Sequence, residues 1–166
     1  DLWKSLQEGK VVQKSLYSRE EMKDLVSQWQ DRGDTVVFTN GCFDILHRGH
    51  VTYLQEAAQL GDHLIIGLNS DASVGRLKGP TRPLVAEADR AYLLSALACV
   101  DGVVIFEEDT PAELLEAIRP NILVKGGDYQ PDQVIGRDFV DSVQILSFKE
   151  GYSTTNVVNK IAKIGR

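Results

Sequence analysis

His47 and His50 stand three residues apart in the stretch Thr39-Asn40-Gly41-Cys42-Phe43-Asp44-Ile45-Leu46-His47-Arg48-Gly49-His50. The apolar run Val36-Val37-Phe38 before it reads as a buried strand, and Val51, Leu54, Ala57 and Ala58 after it recur at helical spacing. A strand therefore turns into a helix here, with both imidazoles on one face of the first helical turn. Gly49 between them has no side chain to keep a ligand from the backbone. The free N–H groups and positive dipole end of a helix N-terminus favour an anion. Two imidazoles aimed there predict a polyphosphate site. The stretch is neither a Walker A loop nor a GxGxxG turn, both of which need more glycine at set spacing.

Cys42, Asp44, His47 and His50 also admit a reading as metal ligands, but zinc sites normally pair them as C-x-x-C or as His at i, i+4, and no metal site is expected. Ser153-Thr154-Thr155 opens the last helical pattern and would form a second anion-binding helix start. Two such starts at one sheet edge could hold successive phosphates of a nucleoside triphosphate. Lys78 and Arg82, in Arg76-Leu77-Lys78-Gly79-Pro80-Thr81-Arg82-Pro83, are candidates to clamp phosphates, while Arg76 reads as a solubilising loop residue. Lys125-Gly126-Gly127-Asp128 places a glycine pair where backbone can approach a flat base, or else forms a simple tight turn.

The elements that must position these groups alternate from Thr35 onward. Strands are expected at residues 36–39, 63–68, 103–106, 122–125 and 143–146, and helices at 49–60, 86–98, from Thr110 to Arg119 and after Ser153. A long loop is expected from the second strand to about Val85, and Leu93, Ala96 and Leu97 are expected to face inward. Thr110-Pro111-Ala112-Glu113 reads as a capping box with proline at the first helical position. Residues 1–34 read as an N-terminal helical extension to a domain over 35–166. Its capping box is Ser18-Arg19-Glu20-Glu21, its apolar stripe is Met22, Leu25, Val26 and Trp29, and Gly33 is its stop. The expected fold is α/β: a Rossmann-like, doubly wound parallel sheet of about five strands with helices on both faces. Ligands in such sheets sit beyond the carboxyl ends of the strands, where strand order reverses. The segments leaving those ends are Asn40–His50, Asn69–Asp71, Lys125–Asp128 and Tyr152–Thr155.

At 166 residues the chain is the size of one domain. Its net charge of −6 argues against a general nucleic-acid binder but not against a small phosphorylated substrate. No apolar run approaches the roughly 20 residues of a membrane helix. Asp1-Leu2-Trp3-Lys4 shows no leader pattern, and Cys42 and Cys99 are the two cysteines, so a cytoplasmic protein is expected.

His47-Arg48-Gly49-His50 after a strand, with Ser153-Thr154-Thr155 opening the last helix, resembles the nucleotidyltransferase superfamily of HxGH enzymes. Phe38 to Asp44, Asn69-Ser70-Asp71, Arg76-Leu77-Lys78-Gly79, Val124 to Tyr129 and Glu150 to Thr155 resemble one of its families, D-glycero-β-D-manno-heptose 1-phosphate adenylyltransferase, which makes ADP-heptose for lipopolysaccharide. The resemblance covers about Thr35 to Ile161, and Val85-Ala86 stands where a more polar pair is expected. It implies that a sugar 1-phosphate attacks the α-phosphorus of ATP and pyrophosphate leaves, without a general base. The alternatives are a cytidylyltransferase acting on a small alcohol phosphate and a silent nucleotide-binding module. Carried over, His47, His50 and Lys78 become catalytic. Asn40, Gly41, Phe43, Gly49, Lys125, Gly126, Gly127, Asp128, Tyr152, Ser153, Thr154 and Thr155 become nucleotide-binding. Asp44, Asn69, Asp71, Lys78 and Arg82 face the sugar phosphate. Mg²⁺ is expected to bridge phosphates through substrate and water, and a homo-oligomer is expected.

Overall fold

The computed structural model describes residues 15–148 and 151–165. The first fourteen residues of the expected extension, and Glu150, lie outside the described residues. Helix α1 (Arg19–Asp31) starts at a capping box in which the Ser18 side chain accepts from Glu21 N–H and the Glu21 side chain accepts from Ser18 N–H. Gly33, at φ 87°, lets the chain leave that helix in a left-handed turn. Then follow β1 (Val36–Gly41), α2 (Arg48–Ala58), β2 (His63–Asn69), α3 (Asp71–Lys78), α4 (Glu87–Ser95), β3 (Gly102–Phe106), α5 (Ala112–Ile118), β4 (Ile122–Gly126), two single-turn 3₁₀ segments, β5 (Ser142–Leu146) and α6 (Thr154–Ile164).

All five strands pair in parallel in the order β3-β2-β1-β4-β5. The period-2 alternation of the strands sends Val36, Phe38 and Ile65 to one face and Val37, Leu64 and Ile66 to the other. Met22 and Val26 of α1 and Leu114, Leu115 and Ile118 of α5 cover the first face. Leu54 and Ala57 of α2 and Ala91 and Leu94 of α4 cover the second. Helix α1 is thus part of the core. The chain ahead of it also extends the sheet, since Tyr17 N–H donates to the Val103 carbonyl at 2.9 Å and Val103 N–H to the Ser15 carbonyl at 2.7 Å.

Four local expectations are corrected. Much of the expected loop to Val85 is α3, capped by Ser70, whose Oγ accepts from Ser73 N–H at 3.1 Å. Arg76 on that helix does not merely solubilise: it pairs with Asp109 and donates to the Glu107 carbonyl. Leu93 and Ala96 of the α4 region are exposed and Leu97 is half-buried, the inward face being Arg90, Ala91 and Leu94. The box at Thr110 does not form; Pro111 is the N-cap of α5, without a side-chain cap bond.

Strand order reverses between β1 and β4, and their ladder is short, with pairs at Val37–Ile122 and Phe38–Leu123. Beyond Phe38 the two strands part. The Thr39 hydroxyl donates to the Val124 carbonyl at 3.0 Å, and Tyr53 of α2 reaches the same carbonyl at 3.3 Å and Thr39 Oγ1 at 2.8 Å. Side chains thus satisfy backbone that the ladder leaves unpaired, and a crevice opens at the switch point.

Candidate active site

The crevice lies between Asn40-Gly41 at the end of β1 and Lys125-Gly126 at the end of β4. Among the described residues, one buried side-chain oxygen or nitrogen has no hydrogen-bond partner, Asn40 Oδ1. Leaving such an atom unmatched costs about 1–3 kcal/mol, so it marks where a donor is wanted. Lys125 is half-buried, its ammonium 5.9 Å from the Tyr129 ring centre, and burial lowers its pKa. A Cβ on Gly126 would meet the Phe148 ring at 2.5 Å and one on Gly127 would meet it at 3.1 Å, so that ring covers the glycine pair. Asp128 is exposed.

The turn from β1 to α2 is built around Phe43. Its backbone sits at φ 47°, a rare region for a side chain of this size. Its ring packs where a Cβ on Gly41 would come within 2.9 Å, and edge-on to His50 with centroids 5.3 Å apart. Phe43 is thus a buried core residue that steers His50.

His47 is the N-cap of α2, its Nδ1 accepting from Gly49 N–H at 3.1 Å. The Nδ1 of His50 accepts from His47 N–H at 3.4 Å, and the two rings stack with centroids 3.8 Å apart. With Nδ1 an acceptor in both, each neutral ring carries its proton on Nε2. Burial lowers the pKa of His47. Burial first, then the charge repulsion of His47 and Lys78, lowers that of His50 to about 4, against a raising contribution from the Ile45 carbonyl. Both imidazoles are therefore neutral donors near pH 7. Lys78 ends α3, exposed, and its charge reaches both Cys42 and His50.

A cavity of about 230 Å³ joins this turn to the start of α6, lined by His47, Arg48, Tyr152, Ser153, Asn156 and Lys160 among others. Ser153 is the N-cap of α6, accepting from Asn156 N–H at 3.0 Å, with Thr154 and Thr155 in its first turn. The structure thus brings His47 and Ser153 to one cavity. It adds Arg48 and Lys160, which the sequence reading did not single out. Lys160 lies near two turns into α6, and no local pattern marks it as facing His47.

Gly49 has a second duty beside leaving the helix start open. A Cβ there would meet Tyr152 Cβ at 2.6 Å and the His47 ring at 3.0 Å. Gly49→Ala is expected to push α6 away from α2 and raise the KM for nucleotide at least tenfold, an overpacking effect of about 1–3 kcal/mol. Titration of nucleotide into the variant, with its far-ultraviolet dichroism unchanged, checks this.

The other side of the crevice is tied down by charge. Asp44 is buried and accepts from Arg82 Nε, Leu84 N–H and Val85 N–H at 2.8–2.9 Å. Burial raises the Asp44 pKa, but the Val85 and Leu84 N–H groups and the Arg82 guanidinium outweigh it, leaving the carboxyl below its ordinary range. Asp44 and Arg82 thus bind each other and the 82–85 backbone. Asn69 is buried below the sheet edge, its amide donating to Ser73 Oγ at 3.0 Å. Asp71 is half-exposed and pairs with Arg90 at 2.8 Å. Among the described residues no group of three or more His, Cys, Asp or Glu side chains is placed to hold a metal ion. No helix among them is long and apolar enough to cross a membrane.

The cytidylyltransferase-like family model matches residues 38–160. The bifunctional protein HldE of Syntrophotalea carbinolica is 56% identical over 147 residues, covering 86% of this chain and 30% of that protein. HldE of Wolinella succinogenes is 56% identical over 149 residues, covering 90% and 31%. The chain therefore spans about three tenths of the length of the curated relatives it matches. The crystal structure of the lipopolysaccharide core biosynthesis protein from Thermoplasma volcanium GSS1 aligns at TM-score 0.58 and 30% identity, covering 73% of this chain and 100% of that one.

Proposed function

This chain belongs to the cytidylyltransferase-like family, and we propose that it transfers the adenylyl group of ATP to D-glycero-β-D-manno-heptose 1-phosphate. The products are ADP-heptose and pyrophosphate. The observation that carries the reading is the meeting of two helix starts, capped by His47 and by Ser153, at one cavity that Arg48 and Lys160 also line. Such a cavity suits a chain of phosphates. Its similarity to HldE proteins and to a lipopolysaccharide core biosynthesis protein favours a heptose acceptor.

In this reading a phosphate oxygen of the sugar 1-phosphate forms the new bond to the α-phosphorus of ATP. The bond from that phosphorus to the bridging oxygen breaks, and its electrons leave with pyrophosphate. The nucleophile is already an anion, so no proton has to be removed. His47 and His50 donate from Nε2 to phosphoryl oxygens as charge builds, without a charge of their own to desolvate. Lys78 draws the second anion toward the first. Ser153, Thr154, Thr155, Arg48 and Lys160 hold the leaving phosphates, and Asn40 Oδ1 accepts from a hydroxyl or amine of the nucleoside. No carboxylate or imidazole cage for a divalent ion is found among the described residues; Mg²⁺ would come with the nucleotide and would offset the charge that builds on its phosphates.

Pyrophosphate release with magnesium, crossing ATP and CTP against heptose 1-phosphate and glycerol 3-phosphate, tests the proposal. Turnover is expected with ATP and the heptose. Turnover with CTP instead would keep the phosphate site and discard the acceptor. ATP binding without any release would leave a nucleotide-binding module.

A further inference from the structure

Arg90 is the largest fully buried side chain among the described residues, and a charge in that position demands a reason. From α4 its guanidinium donates through Nε to the Val85 carbonyl, through Nη1 to the carbonyls of Cys42 and Asn69, and through Nη2 to Asp71 Oδ1, each at 2.8 Å. Its one charged partner, Asp71, has a side chain 42% exposed, so ion pairing alone does not account for the burial. The three carbonyls do. They sit on the segment leaving β1, on the last residue of β2 and on the loop entering α4, and the β1–β2 register ends before them at Gly41–Leu68.

The segments gathered in this way carry one half of the site. Cys42 adjoins Phe43, whose ring abuts His50. Val85 is held from the other side by Asp44, which also fixes Arg82. Lys78 is the last residue of α3, and Arg82 lies within the 79–86 connection from α3 to α4. None of the four bonds reaches β4, β5 or α6, where the glycine pair and the second helix start lie.

We propose that Arg90 is a positioning residue for the acceptor half of the site, setting the mutual placement of the 42–44, 69–71 and 82–85 segments beside the sugar phosphate while leaving the glycine pair after β4 and the start of α6 untouched. The assignment of that half to the sugar phosphate rests on the function proposed above; the clamp itself does not. Guanidinium is suited to the task because its donors lie in one rigid plane and point in fixed directions. A lysine keeps the charge and loses the fork, so the two contributions separate in a single substitution.

The test is Arg90→Lys, with steady-state kinetics in both substrates and amide exchange across the chain. The expected result is a KM for heptose 1-phosphate raised roughly tenfold or more with a lower kcat, and a KM for ATP within about twofold of the parent. Exchange should quicken at 42–44, 69–71 and 82–86 and stay unchanged at 125–127 and 153–156. Equal rises in both KM values, wild-type kinetics, or uniform quickening would each overturn the proposal. Should Arg90→Lys fail to fold, Asp71→Asn carries the test through the half-exposed end of the clamp. Faster exchange confined to 69–71 and 82–86 is expected, and no change there counts against the clamp. Absence of turnover by the parent chain would sink the proposed function, while the exchange pattern of Arg90→Lys would still decide the role of Arg90.

Discussion

Replacing His50 by alanine is expected to lower kcat by about 10²–10³-fold, the effect of losing one preorganised donor to a developing oxyanion. The KM for ATP should change far less, since Ser153, Arg48, Lys160 and His47 still line the cavity proposed for the phosphates. The same variant carries a signature in stability. His50 has its pKa lowered to about 4 in the folded chain, against an ordinary value of 6.5. Between those two values the unfolded chain binds a proton that the folded chain refuses, so acidification through that window favours unfolding. The slope is at most about 1.4 kcal/mol per pH unit from this one group. Thermal melts of parent and His50→Ala at pH 7 and pH 5 should therefore diverge, with the variant losing less on acidification. A variant with normal turnover, or one that loses as much stability as the parent on acidification, contradicts the role given to this ring.

Asp44→Ala should produce the largest loss of stability of any single change in the site. The carboxylate is buried and accepts from Arg82, Leu84 N–H and Val85 N–H. Its removal leaves a partly buried guanidinium without its partner and two backbone donors without an acceptor. Breaking a buried pair from one side costs about 3–5 kcal/mol, and the 19% exposure of the Arg82 side chain puts this case at the lower end. Urea unfolding should show the midpoint fall with the slope unchanged, and kcat should fall as the 82–85 loop loosens. Asp44→Asn retains a carbonyl acceptor and should recover part of the stability and little of the activity. A loss under about 1 kcal/mol in Asp44→Ala would mean that Arg82 and the loop are held by something else.

The five strands and the helix start at His47 are legible in the sequence because each is written in a local pattern. Continuous apolar runs give buried parallel strands, and an imidazole pair at i, i+3 after such a run gives the turn. Helix α3 was hidden for a physical reason: Asp71–Lys78 contains Gly75 and a single buried apolar residue, Val74. What holds that helix in place lies in tertiary pairs, with Arg76 reaching Asp109 and Asp71 reaching Arg90. The inward face of α4 is not legible in the sequence because it is organised by Arg90, a residue that hydrophobic periodicity assigns to solvent. Asp44 and Arg82 read as two separate ligand contacts because nothing in their spacing of 38 residues shows that they meet. The opening of β1 from β4 depends on Thr39 and Tyr53 finding one carbonyl of a distant strand, which no local pattern encodes.

Position 85 shows what such a network does to the meaning of sequence variation. Asp44 takes the Val85 N–H and Arg90 takes the Val85 carbonyl, so both grips close on peptide atoms and neither touches the valine side chain. The apolar residue where a polar one was expected therefore costs neither of these bonds. Saturation mutagenesis should find this site permissive to nearly every residue except proline, which has no N–H to give. A position that looks expendable in any profile of side-chain preference is, through its backbone, part of the frame on which the chemistry stands.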